Sequence, residues 1–143
     1  MPKRSAASSN SRPLEGLTLL VDESVGAKVV PAVLRELGAD VLTVTDVFGA
    51  GTRDEVWLRR AGAESWVVIT RDRMIRRRPL EFEALRASGV RAFSFSGGNQ
   101  TGQAMGEVLR LRAVKLANVC RSEPAPFLYT ITAAGTLARE RLR

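Results

Sequence analysis

Short apolar runs alternate along the chain with stretches whose apolar residues recur at helical spacing. The runs are rich in β-branched and aromatic residues, which favours strands at 17–21, 40–45, 66–70, 90–95 and 127–132. The amphipathic stretches predict helices within 25–37, near 53–63, at 79–89 and at 101–118. Pro31 is tolerated only in a first turn, so the first helix is expected to begin late or to bend.

This alternation predicts an α/β fold: a Rossmann-like, open and mainly parallel sheet with helices on both faces. Short connections between strands and helices imply parallel strands joined by right-handed crossovers. The end of the chain leaves two alternatives. Residues 134–143 either form the second arm of a hairpin with the strand at 127–132, or form a helix.

Length and apolar content predict one domain over residues 14–143, preceded by a disordered polar tail at 1–13. The chain has 143 residues, of which 45% are apolar. Its apolar runs are shorter than the roughly 18 residues of a membrane span, and its first residues lack the apolar core of a secretion signal. A cytoplasmic protein without a membrane partner is therefore expected.

The chain has no histidine and a single cysteine, Cys120. These absences exclude imidazole general bases, histidine-dependent nucleophiles and clusters of thiolates that bind zinc or iron–sulfur centres. Carboxylates, hydroxyls, amides and guanidinium groups remain for any chemistry.

The charge balance favours a phosphate-bearing or acidic partner. Lysine and arginine number 22 against 15 acids, a formal charge of +7, and the cations are mostly arginine, which binds phosphate and carboxylate in a bidentate way. A codon bias towards arginine would give the same composition.

Carboxylates follow the predicted strands at the edge where ligands bind in such sheets. Each has a structural alternative as a helix-terminal anion, a turn former or the partner of an arginine. Three carboxylates that converge repel one another unless a cation neutralises them, and Mg²⁺ or Mn²⁺ prefers such oxygen ligands. The acids at this edge are Asp22, Glu23, Asp46, Asp54, Glu55 and Asp72.

The segments DES, LRELGADV, GTRDEVWL and WVVITRDRMIRR, in this order, resemble PIN-like ribonucleases, in particular the compact branch related to VapC toxins. The resemblance spans about 17–96. It implies that Asp22, Asp54 and Asp72 are the catalytic acids and hold Mg²⁺ or Mn²⁺ for the hydrolysis of RNA phosphodiester bonds. Larger PIN domains carry a fourth acid, for which Glu23, Asp46 and Glu55 are the candidates.

Other residues around these acids are expected to orient a ligand or to bind RNA. Ser24 and Thr70 can orient a metal ligand or a water, or can satisfy backbone groups instead. The arginines that surround Asp72 place cations beside the acidic edge, with a solvated loop as the alternative. They are Arg71, Arg73, Arg76, Arg77 and Arg78.

The resemblance to a toxin also implies an antitoxin protein as a partner. The predicted helix at 101–118 has more apolar residues than one buried stripe needs, which is explained by burial on both sides or by an interface such as a homodimer. Two other functions remain open. One is a catalytically idle, PIN-like protein-binding module, and the other is a receiver-like phosphoacceptor, although SFSGG lacks the lysine that a receiver carries after this strand.

Overall fold

The computed structural model describes residues 12–71, 79–97 and 100–142. Within these ranges, six strands form one sheet in the order β2-β1-β3-β4-β5-β6. Strands β1 to β5 are parallel, and β6 is antiparallel to β5. The strands are β1 (Thr18–Val21), β2 (Asp40–Thr43), β3 (Val67–Thr70), β4 (Arg91–Phe95), β5 (Phe127–Ile131) and β6 (Leu137–Arg139).

Helices of the described ranges connect the parallel strands, and a 3-10 turn, Glu23–Val25, follows β1. The predicted open, mainly parallel α/β fold is therefore confirmed. The helices are α1 (Val29–Glu36), α2 (Val44–Phe48), α3 (Asp54–Glu64), α4 (Pro79–Ala87) and α5 (Gly102–Ser122).

The sheet has a buried core on each face, because successive side chains of a strand point to opposite sides. In β1, Leu19 packs in the core that includes residues of α1 and α5, whereas Leu20 packs with residues of α3 and α4. This arrangement matches the prediction that helices cover both faces. It also explains why β1 is buried at every position except Thr18 and why β3 is buried throughout.

The second strand is shorter than predicted. It ends at Thr43, whose Oγ1 accepts a hydrogen bond from the Asp46 N–H at 3.2 Å and so caps α2. The expectation that the strand runs through 44–45 into Asp46 is wrong, because the side-chain cap offers a helix start that the alternating pattern conceals. Asp46 is exposed in the first turn of this helix.

The end of the chain forms the predicted hairpin, and the helical alternative is wrong. Leu137 pairs with Ile131 across the antiparallel strands. The turn needs Gly135, which has a φ of +87° and whose carbonyl oxygen accepts from Arg112 Nε at 2.7 Å. The first helix begins late, at Val29, so Pro31 falls in its first turn as expected.

The apolar residues of α5 are only partly explained by burial within the chain. Met105, Leu109 and Leu116 are buried, whereas Leu111 is 68% exposed and Val114 is 58% exposed. Burial on both sides is therefore wrong for these two positions, and a homodimer stays a prediction. The boundaries of a single domain at 14–143 also stay a prediction. In the described part of the chain, no helix has the length and apolarity to cross a membrane.

Helix α3 approaches the end of α4 closely at Gly62. A Cβ atom there would lie 2.1 Å from the carbonyl oxygen of Ser88. Although alanine is favoured over glycine in a helix by about 1 kcal/mol, overpacking against rigid backbone costs about 1–3 kcal/mol or more.

We therefore expect Gly62→Ala to lower the free energy of unfolding, measured by urea denaturation. The exposed neighbour Ala63 provides a control. Ala63→Gly should lower the free energy of unfolding by only about 1 kcal/mol, the difference in helix propensity between alanine and glycine. A higher stability of Gly62→Ala would contradict the close approach of the two helices.

Candidate active site

The strand order brings the ends of β1 and β3 together. The chain passes from β1 to β2 on one side and returns to β3 on the other, so the order reverses at β1. In open α/β sheets, ligands bind in the crevice beyond the carboxyl ends of the strands at this reversal. Asp22 follows β1 there, and Thr70 is the last residue of β3.

Hydrogen bonds from the end of β3 and from the turn after β1 hold the Asp22 carboxylate, which is 7% exposed. The Asp22 backbone N–H donates to the carbonyl oxygen of Ile69 at 2.9 Å. Its Oδ2 accepts from Ser24 Oγ at 2.7 Å and from Thr70 Oγ1 at 2.9 Å. Ser24 Oγ also accepts from the Arg71 backbone N–H at 3.0 Å, which leaves the hydroxyl proton for Asp22. The orientation of this carboxylate is thus set by the end of β3 and by the 3-10 turn that follows β1.

The environment of Asp22 fits a hard divalent cation. Both hydroxyls donate to the same oxygen, and none of the described residues donates a hydrogen bond to Oδ1 or forms an ion pair with this carboxylate. A buried charge without a counter-ion is costly, and Mg²⁺ or Mn²⁺ prefers a carboxylate oxygen of this kind. Asp22 therefore offers a carboxylate oxygen, Oδ1, that receives no hydrogen bond from the described residues and is suited to coordinate such a cation.

Asp54, the second predicted ligand, is the first residue of α3. Its Oδ1 accepts a hydrogen bond from Trp57 Nε1 at 3.1 Å, and the Trp57 ring is 1% exposed in the core between the sheet and α3. Trp57 is a core residue, and its contact with Asp54 was not predicted from the sequence. The spacing of three residues in a first helical turn is the signal that would have found it.

The remaining predicted acids lie in different surroundings. Glu55 is 8% exposed and pairs with Arg53 Nη2 at 2.6 Å, so its charge already has a partner. Glu23 is exposed, and its Oε2 accepts from Thr45 Oγ1 at 3.4 Å. Asp46 lies in α2. These three acids do not gather around Asp22 as a group of ligands in the described structure.

One of the three predicted acids, Asp72, lies outside the residues that the structure describes. Within 12–71, 79–97 and 100–142, no three Asp, Glu or Cys side chains come together as a group that could hold a metal. Asp22, Ser24 and Thr70 are brought together, and Arg71 joins them through its backbone. The predicted residues outside the described ranges are Asp72, Arg73, Arg76, Arg77 and Arg78.

Cys120 is not a candidate nucleophile. It is buried in α5, and this burial raises the pKa of its thiol to about 12. A thiol with that pKa carries almost no thiolate at neutral pH. The chemistry of the crevice therefore rests on its oxygen and nitrogen groups.

The fold and the acidic crevice define a class that the comparison with protein families also identifies. Residues 17–97, more than half of the chain, match the family described as PIN like domain. The chain therefore belongs to the PIN-like domain family, as the resemblance of its motifs implied.

One similar curated protein is named "Putative ribonuclease VapC45" and comes from Mycobacterium tuberculosis (strain ATCC 25618 / H37Rv). The two sequences are 27% identical over 119 residues, which cover 79% of this chain and 84% of the relative. No solved structure matches the chain.

The Thr70 hydroxyl gives a direct test of the geometry around Asp22. Thr70 is fully buried, and Thr70→Val keeps its shape while removing the donor to Oδ2. A hydrogen bond to a charged group contributes about 1.5–3 kcal/mol, so we expect a loss of that size in the free energy of unfolding, measured by urea denaturation.

Thr45→Val is the matched control for this variant. The Thr45 hydroxyl lies on the surface and donates to Glu23 at 3.4 Å, so its loss should change the stability little. Equal stabilities of the two variants would contradict the importance of the buried hydrogen bond.

Proposed function

We propose that this protein is a metal-dependent endoribonuclease and the toxin of a toxin–antitoxin pair. The observation that carries the proposal is the buried Asp22 carboxylate at the strand-order reversal of a PIN-like chain, held by two hydroxyls and without a paired cation among the described residues. The similarity to a protein named as a ribonuclease of the VapC group supports the same activity.

In this proposal, Asp22, Asp54 and Asp72 hold Mg²⁺ or Mn²⁺. Such an ion activates water for attack and offsets the negative charge that develops on the phosphoryl group. Ser24 and Thr70 orient Asp22, and Trp57 orients Asp54. A chain without histidine has carboxylates and hydroxyls to position the water.

A fourth acid, where one serves, is best supplied by Glu23. It directly follows Asp22 in the sequence and is exposed at the same edge. Glu55 is already paired with Arg53, and Asp46 belongs to the first turn of α2. Glu23 is therefore favoured by its position next to Asp22, and Thr45 Oγ1 contacts its carboxylate only at 3.4 Å.

The basic residues that follow β3 are proposed to hold the RNA backbone. Arg71 lies at the crevice, and the formal charge of +7 favours a polyanion. The same acidic edge is the surface that an antitoxin would cover to block cleavage. The proposed RNA-binding residues are Arg71, Arg73, Arg76, Arg77 and Arg78.

Replacement of the proposed ligands tests the activity. We expect Asp22→Asn and Asp72→Asn each to lower metal-dependent RNA cleavage by more than about 100-fold. Replacing a residue that only orients a metal ligand already lowers metal affinity or activity by about 10–100-fold, and these two residues are proposed to be ligands themselves. Cleavage of total RNA by the purified protein is measured with Mg²⁺, with Mn²⁺ and with EDTA.

Asp40→Asn is the matched control, since Asp40 is an exposed acid at the amino end of β2. Cleavage by Asp22→Asn at the rate of the unchanged protein would contradict the proposal. If calorimetry shows no binding of Mg²⁺ or Mn²⁺ to the unchanged protein, the chain is an idle binding module instead.

Trp57 tests the position of Asp54 separately from its charge. Trp57→Phe keeps a buried aromatic ring and removes the N–H that donates to Asp54. We expect the affinity for Mn²⁺ to fall by about 10–100-fold in calorimetry, the usual effect of losing a group that orients a ligand.

The second tryptophan provides the control for this change. Trp66 lies under the Arg60 guanidinium, 5.4 Å from the ring centroid, and is outside the proposed set, so Trp66→Phe should leave the affinity for Mn²⁺ unchanged. An unchanged affinity in Trp57→Phe would show that Asp54 does not depend on this hydrogen bond.

A further inference from the structure

A cleft of about 580 Å³ lies at the carboxyl edge of the sheet, between the start of α1 and the start of α5. Its volume is within the roughly 300–1,000 Å³ of pockets that take small ligands. Ser24 and Arg71 line one wall, and both belong to the hydrogen-bond network of Asp22. A ligand in this cleft would therefore lie next to the proposed catalytic acid.

The cleft offers positive charge for an anion. Lys28, exposed just before α1, forms no ion pair with any other residue of the described ranges. Glu23 is also on the rim, where Thr45 Oγ1 donates to it. Lys28 and Arg71 are the cations that line the cleft.

The first turn of α5 adds backbone donors on the opposite wall. Thr101 Oγ1 accepts from the Ala104 N–H at 3.0 Å and caps this helix of 21 residues. The first N–H groups of a helix have no partner within the helix, and Gly102, the first residue of α5, lines the cleft. Together with the helix dipole, they favour a negatively charged group such as a phosphate.

A second and independent feature of the cleft is the side chain of Gln100. It lines the cleft, is 8% exposed, and donates through Nε2 to the carbonyl oxygen of Ser96. Its Oε1 is buried and has no hydrogen-bond partner among the residues that the structure describes. A buried acceptor is costly until it receives a donor, and a phosphodiester has none. A hydroxyl or an amino group of the ligand can supply one once the Gln100 side chain turns its buried oxygen towards the cleft.

We infer that this cleft binds the nucleotide next to the bond that is cut. Its phosphate contacts Lys28 and the first backbone N–H groups of α5, and a ribose 2′-hydroxyl or a base amino group donates to Gln100 Oε1. This inference rests on the proposed nuclease function, because it requires RNA in the crevice beside Asp22. It adds Lys28, Gln100 and the start of α5 to the proposed contacts with RNA, in the cleft that Arg71 also lines.

The phosphate contact is tested by the binding of a fluorescent single-stranded RNA oligonucleotide in EDTA, measured by anisotropy over a range of salt concentrations. We expect Lys28→Gln to weaken binding and to reduce the slope of log affinity against log salt by about 0.7, the value for one phosphate contact in a single strand. Lys115→Gln is the matched control, because Lys115 is exposed on α5 and does not line the cleft.

The contact with Gln100 is tested by Gln100→Leu, with RNA and DNA oligonucleotides of the same sequence. A loss of affinity for RNA alone identifies the 2′-hydroxyl as the donor, and an equal loss for both identifies a base amino group. Either result supports the inference once a thermal melt shows that the variant is folded. If the variant does not fold, the inference is tested by the comparison of Lys28→Gln with Lys115→Gln.

The inference fails if Lys28→Gln binds RNA with the same affinity and salt slope as Lys115→Gln. That result would leave the nuclease proposal intact, since cleavage by the unchanged protein is a separate measurement. If the unchanged protein neither binds nor cuts RNA, both the proposed function and this inference are wrong.

Discussion

The hydrogen bond from Thr70 Oγ1 to Asp22 Oδ2 joins two strand ends that are 48 residues apart in sequence. It exists because β1 and β3 are parallel neighbours in register, with Val21 opposite Ile69. Parallel neighbours end at the same edge of the sheet, so the residues that follow them meet there. The position of the candidate active site therefore follows from the pairing of these two strands.

Burial of the Asp22 carboxylate costs the folded protein free energy and also makes this group suited to bind a cation. A carboxylate that is 7% exposed loses most of its hydration, and hydroxyl donors replace only part of it. A bound cation would supply the missing charge, and a cation that binds only the folded protein also stabilises it. Under the proposed function, the carboxylate that is costly to bury in the folded protein is the group that the cation would bind.

The hydrophobic core is connected to the candidate site through Trp57. Its ring packs between the sheet and α3, while its N–H contacts Asp54 at the start of the same helix. The close packing of α3 against the end of α4 at Gly62 holds this helix in place. Changes in the core beneath α3 would therefore move Asp54 as well as lower the stability.

Much of the architecture could be read from local pattern. Apolar runs and helical spacing predicted the strands and most helices, and the AAGT turn made the final hairpin one of two alternatives. The position of Asp22 directly after an apolar run predicted the edge of the sheet at which it lies, since strand direction follows from the connections. The absence of histidine excluded whole classes of chemistry without any structure.

Contacts between distant residues needed the tertiary structure. Ser24 and Thr70 could equally have satisfied backbone groups. Only the pairing of β1 with β3 brings the Thr70 hydroxyl to Asp22 and the Arg71 N–H to Ser24. The side-chain cap at Thr43 starts α2 at the next residue, so β2 ends at Thr43 although residues 44–45 also favour a strand. The exposure of Leu111 depends on how α5 lies across the sheet. The sequence by itself determined which elements form and which residue types reach the edge, because these follow from local periodicity. The tertiary structure decided which of those residues touch, because their contacts join strands and helices that are far apart in the chain.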